Sequence, residues 1–122
     1  MEKALIIIAQ EGYQDTELTG TWKGIEEKGI EIVVASSDRG ECRGKFGAKV
    51  FAVLALRDVH VADYDRVVFI GGPGAHLYAS DPEALRIARE AAQTEKPLGA
   101  ICIAPRILAA AGILRGRRAT GD

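Results

Sequence analysis

Four short, almost uninterrupted apolar runs constrain the fold of this chain more than any other feature. They occupy residues 4–9, 30–35, 65–70 and 97–101, and the first reads ALIIIA. An apolar run of this length without polar alternation is typical of a parallel strand that is covered on both faces. The intervening segments are long enough for helices, so the sequence predicts an α/β fold with a largely parallel sheet.

The segment after the first run predicts a helix. A polar turn is expected over residues 10–15, and Leu18, Trp22 and Ile25 then recur at helical spacing on one face. Gly29 follows where a helix of this length would stop, because glycine readily adopts the left-handed conformation that ends helices.

Three further elements are predicted from local signals. The glycine-rich stretch 39–53 is typical of a hairpin. Asp81 and Pro82 are expected to be the N-cap and the first residue of a second helix. Another helix is expected over 105–111, and residues 117–120 begin one more strand.

Length and composition fit one domain over residues 1–122. Hydrophobic residues make up 48% and charged residues 27% of 122 positions, as in ordinary globular proteins. The net charge of −1 provides no basic surface for nucleic acid. The early apolar run is too short for a signal peptide or a membrane span. We therefore expect a cytoplasmic protein with neither a nucleic-acid nor a membrane partner.

The cysteine and histidine content argues against a metal site. Cys42 and Cys102 are the only cysteines, and the chain has two histidines. These residues form no metal-binding pattern, so neither a metal nor another cofactor is expected. In a reducing compartment both thiols would remain free to react.

Cys102 has the sequence setting of a nucleophile on a sharp strand-to-helix turn. Small residues, Ala100 and Ala104, flank it at two positions on either side, and Pro105 suits the first turn of a helix. A helix N-terminus behind a thiol lowers its pKa. The alternative is a buried structural cysteine, which is common in proteins. Cys42 has no comparable setting.

Taken together, several segments resemble the DJ-1/PfpI superfamily. Two of them are residues 100–105 and 107–117, around the cysteine. The other three are residues 4–9, 12–18 and 67–74, which agree with the family in order and spacing. The resemblance implies a flavodoxin-like three-layer α/β/α sandwich with a mostly parallel sheet and a small hairpin. It also implies a relationship to class I glutamine amidotransferases.

The resemblance also implies a chemistry. Glu17 matches the family's acid beside the nucleophile Cys102, and the N–H groups of Gly72 and Ile103 could hold an oxyanion. The implied activity is that of a cysteine-dependent enzyme acting on reactive carbonyls or their protein adducts, like glyoxalase III or a deglycase. Glu17 could instead be an ordinary first-turn glutamate, and Gly72 part of a tight turn.

The chain departs from the family pattern at three places. Ile103 replaces the histidine that follows the nucleophile in PfpI-type peptidases, which disfavours peptidase activity. By the resemblance, His76 takes the position of the family's partner-subunit glutamate after the double glycine, where it could act as a base or a substrate ligand at the pocket rim, or be a surface or capping histidine. The family's last strand and helix are expected to be missing.

These departures leave alternatives open. A non-catalytic redox sensor or chaperone would use oxidation of Cys102, stabilised by Glu17. A degenerate homologue without turnover is a further alternative. The expected partners are a small carbonyl compound or a glycated protein as substrate, and further copies of the chain in a homodimer or higher oligomer. Gly20 and Gly24 would let another helix approach, from a second subunit or from the same chain.

Overall fold

The structure is a computed structural model and describes residues 2–71, 81–93 and 98–100. The described helices and strands are α1 (Asp15–Glu27), α2 (Pro82–Gln93), β1 (Lys3–Ile7), β2 (Glu11–Tyr13), β3 (Glu31–Ser36), β4 (Gly40–Gly44), β5 (Lys49–Ala52), β6 (Leu54–Ala55), β7 (Arg66–Phe69) and β8 (Leu98–Ala100). Five strands form one sheet in the order β6-β3-β1-β7-β8, and every neighbouring pair is parallel. The predicted parallel α/β architecture is confirmed.

The central strand β1 is covered on both faces. Residues Ala4 to Ile8 are each 0% exposed. Leu5 and Ile7 pack in a cluster that includes α2, whereas Ala4, Ile6 and Ile8 pack in a cluster that includes α1. Because alternate side chains enter two different apolar layers, a polar residue would be buried at either face. This explains the uninterrupted apolar run.

The start of α2 and the end of α1 lie where the capping residues in the sequence predict them. Asp81 Oδ1 accepts hydrogen bonds from the N–H groups of Glu83 (2.8 Å) and Ala84 (3.2 Å), so Asp81 caps α2 as predicted. Helix α1 ends at Glu27, and Gly29 follows with a φ of 73°. That left-handed conformation favours glycine, as expected at a helix end.

The predicted hairpin is present, but it belongs to a larger unit. β4 and β5 pair antiparallel, and β2 adds to β4 in parallel to give a three-stranded sheet. The prediction of a polar turn over 10–15 is therefore wrong for Glu11–Tyr13. A three-residue strand with the sequence EGY has too little periodicity to be recognised, and the edge of the hairpin supplies its hydrogen bonds.

The connection between the hairpin and β7 is more ordered than its sequence indicates. After β6 the chain makes two 3₁₀ turns, Leu56–Asp58 and Val61–Asp63. Arg86 of α2 donates hydrogen bonds to the carbonyls of Leu56 (3.0 Å) and Val59 (3.1 Å). Its side chain therefore ties α2 to this connection.

The helix predicted over 105–111, the strand beginning at 117–120 and the expected loss of a last strand and helix lie outside the described residues. Within the described ranges, neither α1 nor α2 is long and apolar enough to cross a bilayer.

Gly20 and Gly24 inside α1 can be used to test whether another segment packs against this face of the helix. A Cβ at Gly20 or Gly24 would meet no atom within 4 Å beyond its chain neighbours and the nearby backbone of its own helix. We expect Gly20→Ala and Gly24→Ala each to raise the free energy of unfolding by about 0.5–1 kcal/mol, because alanine loses less conformational entropy in a helix. Urea unfolding followed by circular dichroism measures this change.

Gly29→Ala is the matched control for that experiment. Its φ of +73° is strained for an L side chain, so this substitution should lower the free energy of unfolding instead. Destabilisation by alanine at position 20 or 24 would mean that another segment packs closely on this face of α1.

Candidate active site

The carboxyl ends of β1, β3, β7 and β8 lie at one edge of the sheet, because these strands run parallel. Ligands of open α/β sheets bind at this edge. The chain leaves β1 there, passes through β2 and enters α1, whose first turn contains Glu17. Glu17 is partly buried, and its Oε1 atom is shielded from solvent. The structure thus places the predicted acid at the edge where sequence analysis expects the site.

A backbone hydrogen bond fastens the start of α1 to the end of β7. The N–H of Gln14, the N-cap of α1, donates to the carbonyl of Gly71 at 2.9 Å. Gly71 directly precedes Gly72 in the sequence, and Glu17 lies one helical turn after Gln14. The bond therefore joins the two segments that carry a predicted oxyanion donor and the predicted acid.

The side chain of Gln14 is a polar group that sequence analysis did not single out. Its Oε1 atom is shielded from solvent and has no hydrogen-bond partner among the described residues. An unsatisfied acceptor of this kind is costly in a buried position. Gln14 is accordingly a candidate for orienting a polar group at this edge.

Gln10 fixes the point where the chain leaves β1. Its Oε1 accepts hydrogen bonds from Ser37 Oγ and from the N–H of Asp38, both at 3.1 Å. Its Nε2 donates to the carbonyl of Glu41, also at 3.1 Å. One amide thus connects the end of β1 to the turn between β3 and β4.

Asp15 connects the first turn of α1 to the hairpin turn. Its Oδ1 accepts the N–H of Phe46 and its Oδ2 accepts the N–H of Ala48, both at 2.9 Å. Burial alone would raise the pKa of Asp15, but these backbone hydrogen bonds outweigh it and hold the pKa below its usual value. Gly44 passes so close that a Cβ there would collide with the carboxylate. The turn that carries Glu17 is therefore anchored by the hairpin.

Cys42 lies on β4 with its side chain in the core. It is 0% exposed, and its thiol donates to the carbonyl of Gly40 with an Sγ–O distance of 3.7 Å. Burial raises the pKa of this thiol, and the negative charges of Glu11 and Glu41 raise it further. A buried, protonated thiol reacts slowly, which agrees with the absence of a predicted role.

The remaining predicted site residues lie outside the described residues: Gly72, His76, Cys102 and Ile103. The predictions for them stay predictions. The structure does describe β8, which pairs with β7 so that Ala100 lies opposite Phe69. In the sequence, Cys102 comes two residues after the end of β8.

The sequence does not indicate the hydrogen bonds that position the segment between β1 and α1. Asp15 binds backbone groups 31 and 33 residues away, and Gln10 binds groups 27 to 31 residues away. No local pattern indicates partners at such separations. The sequence also predicts a polar turn at Tyr13, whereas the structure buries this residue completely, at 0% exposure. Its position within an acidic segment gave no sign of burial.

The parallel sheet with helices on both faces and a carboxylate at its carboxyl edge defines a flavodoxin-like α/β protein. The family model described as DJ-1/PfpI family matches residues 2–122, and the chain belongs to this family.

The chain is similar to several archaeal proteins. It is 36% identical over 118 residues to the deglycase PH1704 of Pyrococcus horikoshii, covering 97% of this chain and 70% of that protein. It is 34% identical over 119 residues to the uncharacterized protein MJ0967 of Methanocaldococcus jannaschii. That match covers 97% of this chain but 58% of the relative, so the chain spans little more than half of its length.

Solved structures show the same fold. The ThiJ/PfpI domain protein from Brachyspira murdochii superposes with a TM-score of 0.89 at 28% identity, covering 92% of this chain and 65% of that chain. A two-domain protein from Anabaena variabilis, with DJ-1/ThiJ/PfpI-like and ferritin-like domains, superposes with a TM-score of 0.91 at 29% identity. This match covers 99% of this chain and 35% of that one. The expected flavodoxin-like fold is thereby confirmed.

The anchoring role of Asp15 can be tested by substitution. We expect Asp15→Ala to lower the free energy of unfolding by about 1–3 kcal/mol at neutral pH, because two hydrogen bonds to a carboxylate are lost. The folded-state pKa lies below the unfolded value of 3.8, so this contribution is present above that pH. It is lost as the pH falls through the folded-state pKa. Urea unfolding at pH 7 and at a series of values below 4 measures both effects.

Asp38→Ala is the matched control. The Asp38 carboxylate pairs with Arg57 at 3.2 Å, but both side chains are exposed, so its removal should change stability little. An Asp15→Ala effect no larger than that of Asp38→Ala would contradict the anchoring role.

Because Cys42 is buried, we expect its thiol to react slowly with an alkylating reagent in the folded protein. In the folded protein iodoacetamide should modify Cys42 at least about 100-fold more slowly than an exposed thiol, because the group is inaccessible and protonated. Denaturant should remove this protection. Peptide mass spectrometry of samples quenched over time measures the rates, and rapid alkylation of Cys42 in the native protein would refute the described packing.

Proposed function

We propose that the protein is a cysteine-dependent enzyme acting on reactive carbonyls or their protein adducts, in the manner of glyoxalase III and protein deglycases. Cys102 is its nucleophile and Glu17 the acid/base partner. The observation that supports this most is the Gln14–Gly71 hydrogen bond. It holds the turn of Glu17 beside the end of β7, and β7 is the neighbour of the strand that precedes Cys102 in the sequence.

The names of several relatives support this class of reaction. Four archaeal proteins that are 34 to 36% identical to this chain are named deglycases. A deglycase and a glyoxalase both act on a carbonyl carbon, which a thiolate attacks readily. A single site with one thiol and one carboxyl group is sufficient for either reaction.

For methylglyoxal the proposed steps balance without an external oxidant. The Cys102 thiolate adds to the aldehyde carbon, and the carbonyl electron pair moves to oxygen, which takes a proton to give a hemithioacetal. The Glu17 carboxylate removes the proton from that carbon and returns it to the neighbouring carbon through an enediol. The first carbon is thereby oxidised to a thioester and the second reduced to an alcohol. Water then hydrolyses the thioester, which releases lactate and restores the thiol.

Three further residues have proposed roles. The backbone N–H groups of Gly72 and Ile103 stabilise the negative charge that develops on the carbonyl oxygen. His76 binds substrate or acts as a second base at the rim of the pocket. Ile103 stands where PfpI-type peptidases have a histidine, so the residue directly after Cys102 supplies no imidazole to protonate the amine that leaves during peptide hydrolysis. Carbonyl chemistry is therefore favoured over peptidase chemistry.

The pH dependence of Cys102 alkylation tests the nucleophile. Iodoacetamide labelling read by peptide mass spectrometry should give an apparent pKa well below the ordinary thiol value of about 8.5. Cys42 is the slow internal control in the same sample. A value for Cys102 at or above 8.5, or no reaction, would reject Cys102 as an activated nucleophile.

Turnover is tested by lactate release from methylglyoxal. Cys102→Ala should abolish it, and Glu17→Gln should lower kcat by about 100-fold or more, the usual cost of losing an acid/base group. Cys42→Ala is the control that should retain activity. Unchanged turnover in His76→Ala would reject the role of His76.

Two outcomes would favour the alternatives. Peroxide oxidation of Cys102 without any lactate release would indicate a redox sensor or chaperone. Peptide hydrolysis that depends on Cys102, again without lactate release, would indicate a peptidase.

A further inference from the structure

The order of the strands creates a crevice at the carboxyl edge of the five-stranded sheet. From β1 the chain continues through β3 and β6 on one side of the sheet, and it returns to place β7 and β8 on the other side. α1 follows β1 and α2 follows β7, and the two helices pack in different apolar clusters on opposite faces. Where neighbouring parallel strands lead to helices on opposite faces, the chain separates and leaves room for a ligand. In this sheet that point lies between the ends of β1 and β7.

Gln14 is fixed beside this crevice. Its backbone N–H donates to the carbonyl of Gly71, which comes two residues after the end of β7. Its φ of −81° and ψ of 106° are extended, so the helical conformation of α1 starts only at the next residue, Asp15. Gln14 is therefore held between the end of β7 and the first turn of α1, three residues before Glu17.

The side-chain oxygen of Gln14 has no use within the local structure. An N-cap residue commonly accepts a hydrogen bond from the first turn of its helix, but the Gln14 side chain makes no such bond. The adjacent hairpin turn offers no free donor either at Phe46 or Ala48, because Asp15 binds both of their N–H groups. Gln14 Oε1 is shielded from solvent and unpaired within the part of the chain that the structure describes. A donor brought by a ligand would remove the cost of leaving this acceptor unpaired.

An unpaired acceptor at this edge distinguishes two forms of a carbonyl substrate. A free dicarbonyl compound such as methylglyoxal presents only acceptor oxygens, which an amide oxygen repels. The adduct of its aldehyde group with an amine carries a hydroxyl and an N–H on the former aldehyde carbon, and both groups are donors. A site built to bind a hydroxyl group rejects an analogue without it, because the polar group of the site then stays unpaired.

We propose that Gln14 is a specificity-determining residue of the carbonyl site. Its side-chain oxygen accepts a hydrogen bond from the hydroxyl or N–H group of a carbonyl–amine adduct, and it thereby selects the adduct over the free dicarbonyl compound. This inference rests on the proposed function, because it requires carbonyl chemistry at this edge of the sheet. Gln14 binds and selects the substrate, and proton transfer is left to Glu17.

The hydroxyl group that Gln14 binds is retained when the adduct reacts. The Cys102 sulfur forms a bond to the former aldehyde carbon, the bond from that carbon to nitrogen breaks, and the amine leaves with the proton that the thiol has lost. The product is the same hemithioacetal that free methylglyoxal gives, and no oxidant or reductant is consumed. Its hydroxyl group is the one that the adduct carried, so one hydrogen bond to Gln14 serves both species.

Two stable ketones test the binding preference without requiring turnover. Hydroxyacetone has a hydroxyl group on the carbon beside its carbonyl, and butanone has a methyl group there instead. In NMR titrations of the isotopically labelled protein, the dissociation constant of hydroxyacetone should be lower by about tenfold or more. Hydroxyacetone should also shift the side-chain amide signals of Gln14. Gln14→Met removes the acceptor but keeps a long unbranched side chain, so it should make the two dissociation constants equal.

Gln93→Met is the matched control for the titrations. Gln93 is exposed at the last position of α2, so the same substitution there should leave the preference for hydroxyacetone as in the wild type. Circular dichroism should show folded protein for both variants, since neither substitution removes a hydrogen bond of the side chain within the described residues.

Lactate release tests whether the preference extends to the adduct itself. At a fixed total concentration of methylglyoxal, added Nα-acetyl-lysine converts part of the free aldehyde to the amine adduct. In the wild type and in Gln93→Met, the rate should fall less than the concentration of free aldehyde does. In Gln14→Met the rate should follow the free aldehyde, because the adduct has lost the hydrogen bond that favours it.

Three results would overturn the role of Gln14. One is a wild type that binds the two ketones equally or binds neither. Another is a preference for hydroxyacetone that survives in Gln14→Met. The third is a wild-type rate that stays proportional to the free aldehyde. Failure of the proposed function gives a different result, namely no lactate release from any of the proteins, and the titrations then decide by themselves whether Gln14 binds a hydroxyl donor.

Discussion

Complete burial of β1 on both faces determines the layout of the rest of the molecule. Its side chains from Ala4 to Ile8 are fully shielded and alternate between a cluster on the α1 side and a cluster on the α2 side. An apolar strand of this kind requires parallel neighbours at both edges and helices over both faces. The carboxyl ends of these parallel strands, where ligands of open α/β sheets bind, then lie at one edge. The location of the candidate site is thus a consequence of how the core is covered.

Several residues at this edge act by holding others in place. Gln10 fixes the exit from β1, the Gln14 backbone binds Gly71, and Asp15 binds the hairpin turn. Together they define where the first turn of α1, with Glu17, begins. A catalytic carboxyl group needs its position fixed by surrounding contacts, because small displacements weaken proton transfer. The hairpin therefore contributes to the site through Asp15, although it carries none of the predicted catalytic groups.

Features encoded locally could be predicted from the sequence, whereas features that depend on distant partners could not. The apolar run of β1, the Asp81 cap and the hairpin each have a signal within a few residues, and all three are confirmed. β2 escaped recognition because its pairing partner β4 lies about thirty residues along the chain. For the same reason nothing marked Asp15 as an anchor. At the candidate site, Glu17 lies in the first turn of α1, and its role and those of Cys102, Gly72, Ile103 and His76 remain predictions.

The strand order also affects how the chain is synthesised. β1 leaves the ribosome well before its neighbour β7, which is made about sixty residues later, and the Lys3–Asp65 hydrogen bond spans 62 positions. Contacts of this range form slowly, because loop-closure entropy opposes them until the distant partners have met. In the meantime β1, which is apolar from Ala4 onward, has an open edge that can pair with other nascent chains. The strand that lies at the centre of the finished sheet is therefore open to such pairing during translation until β7 has been made.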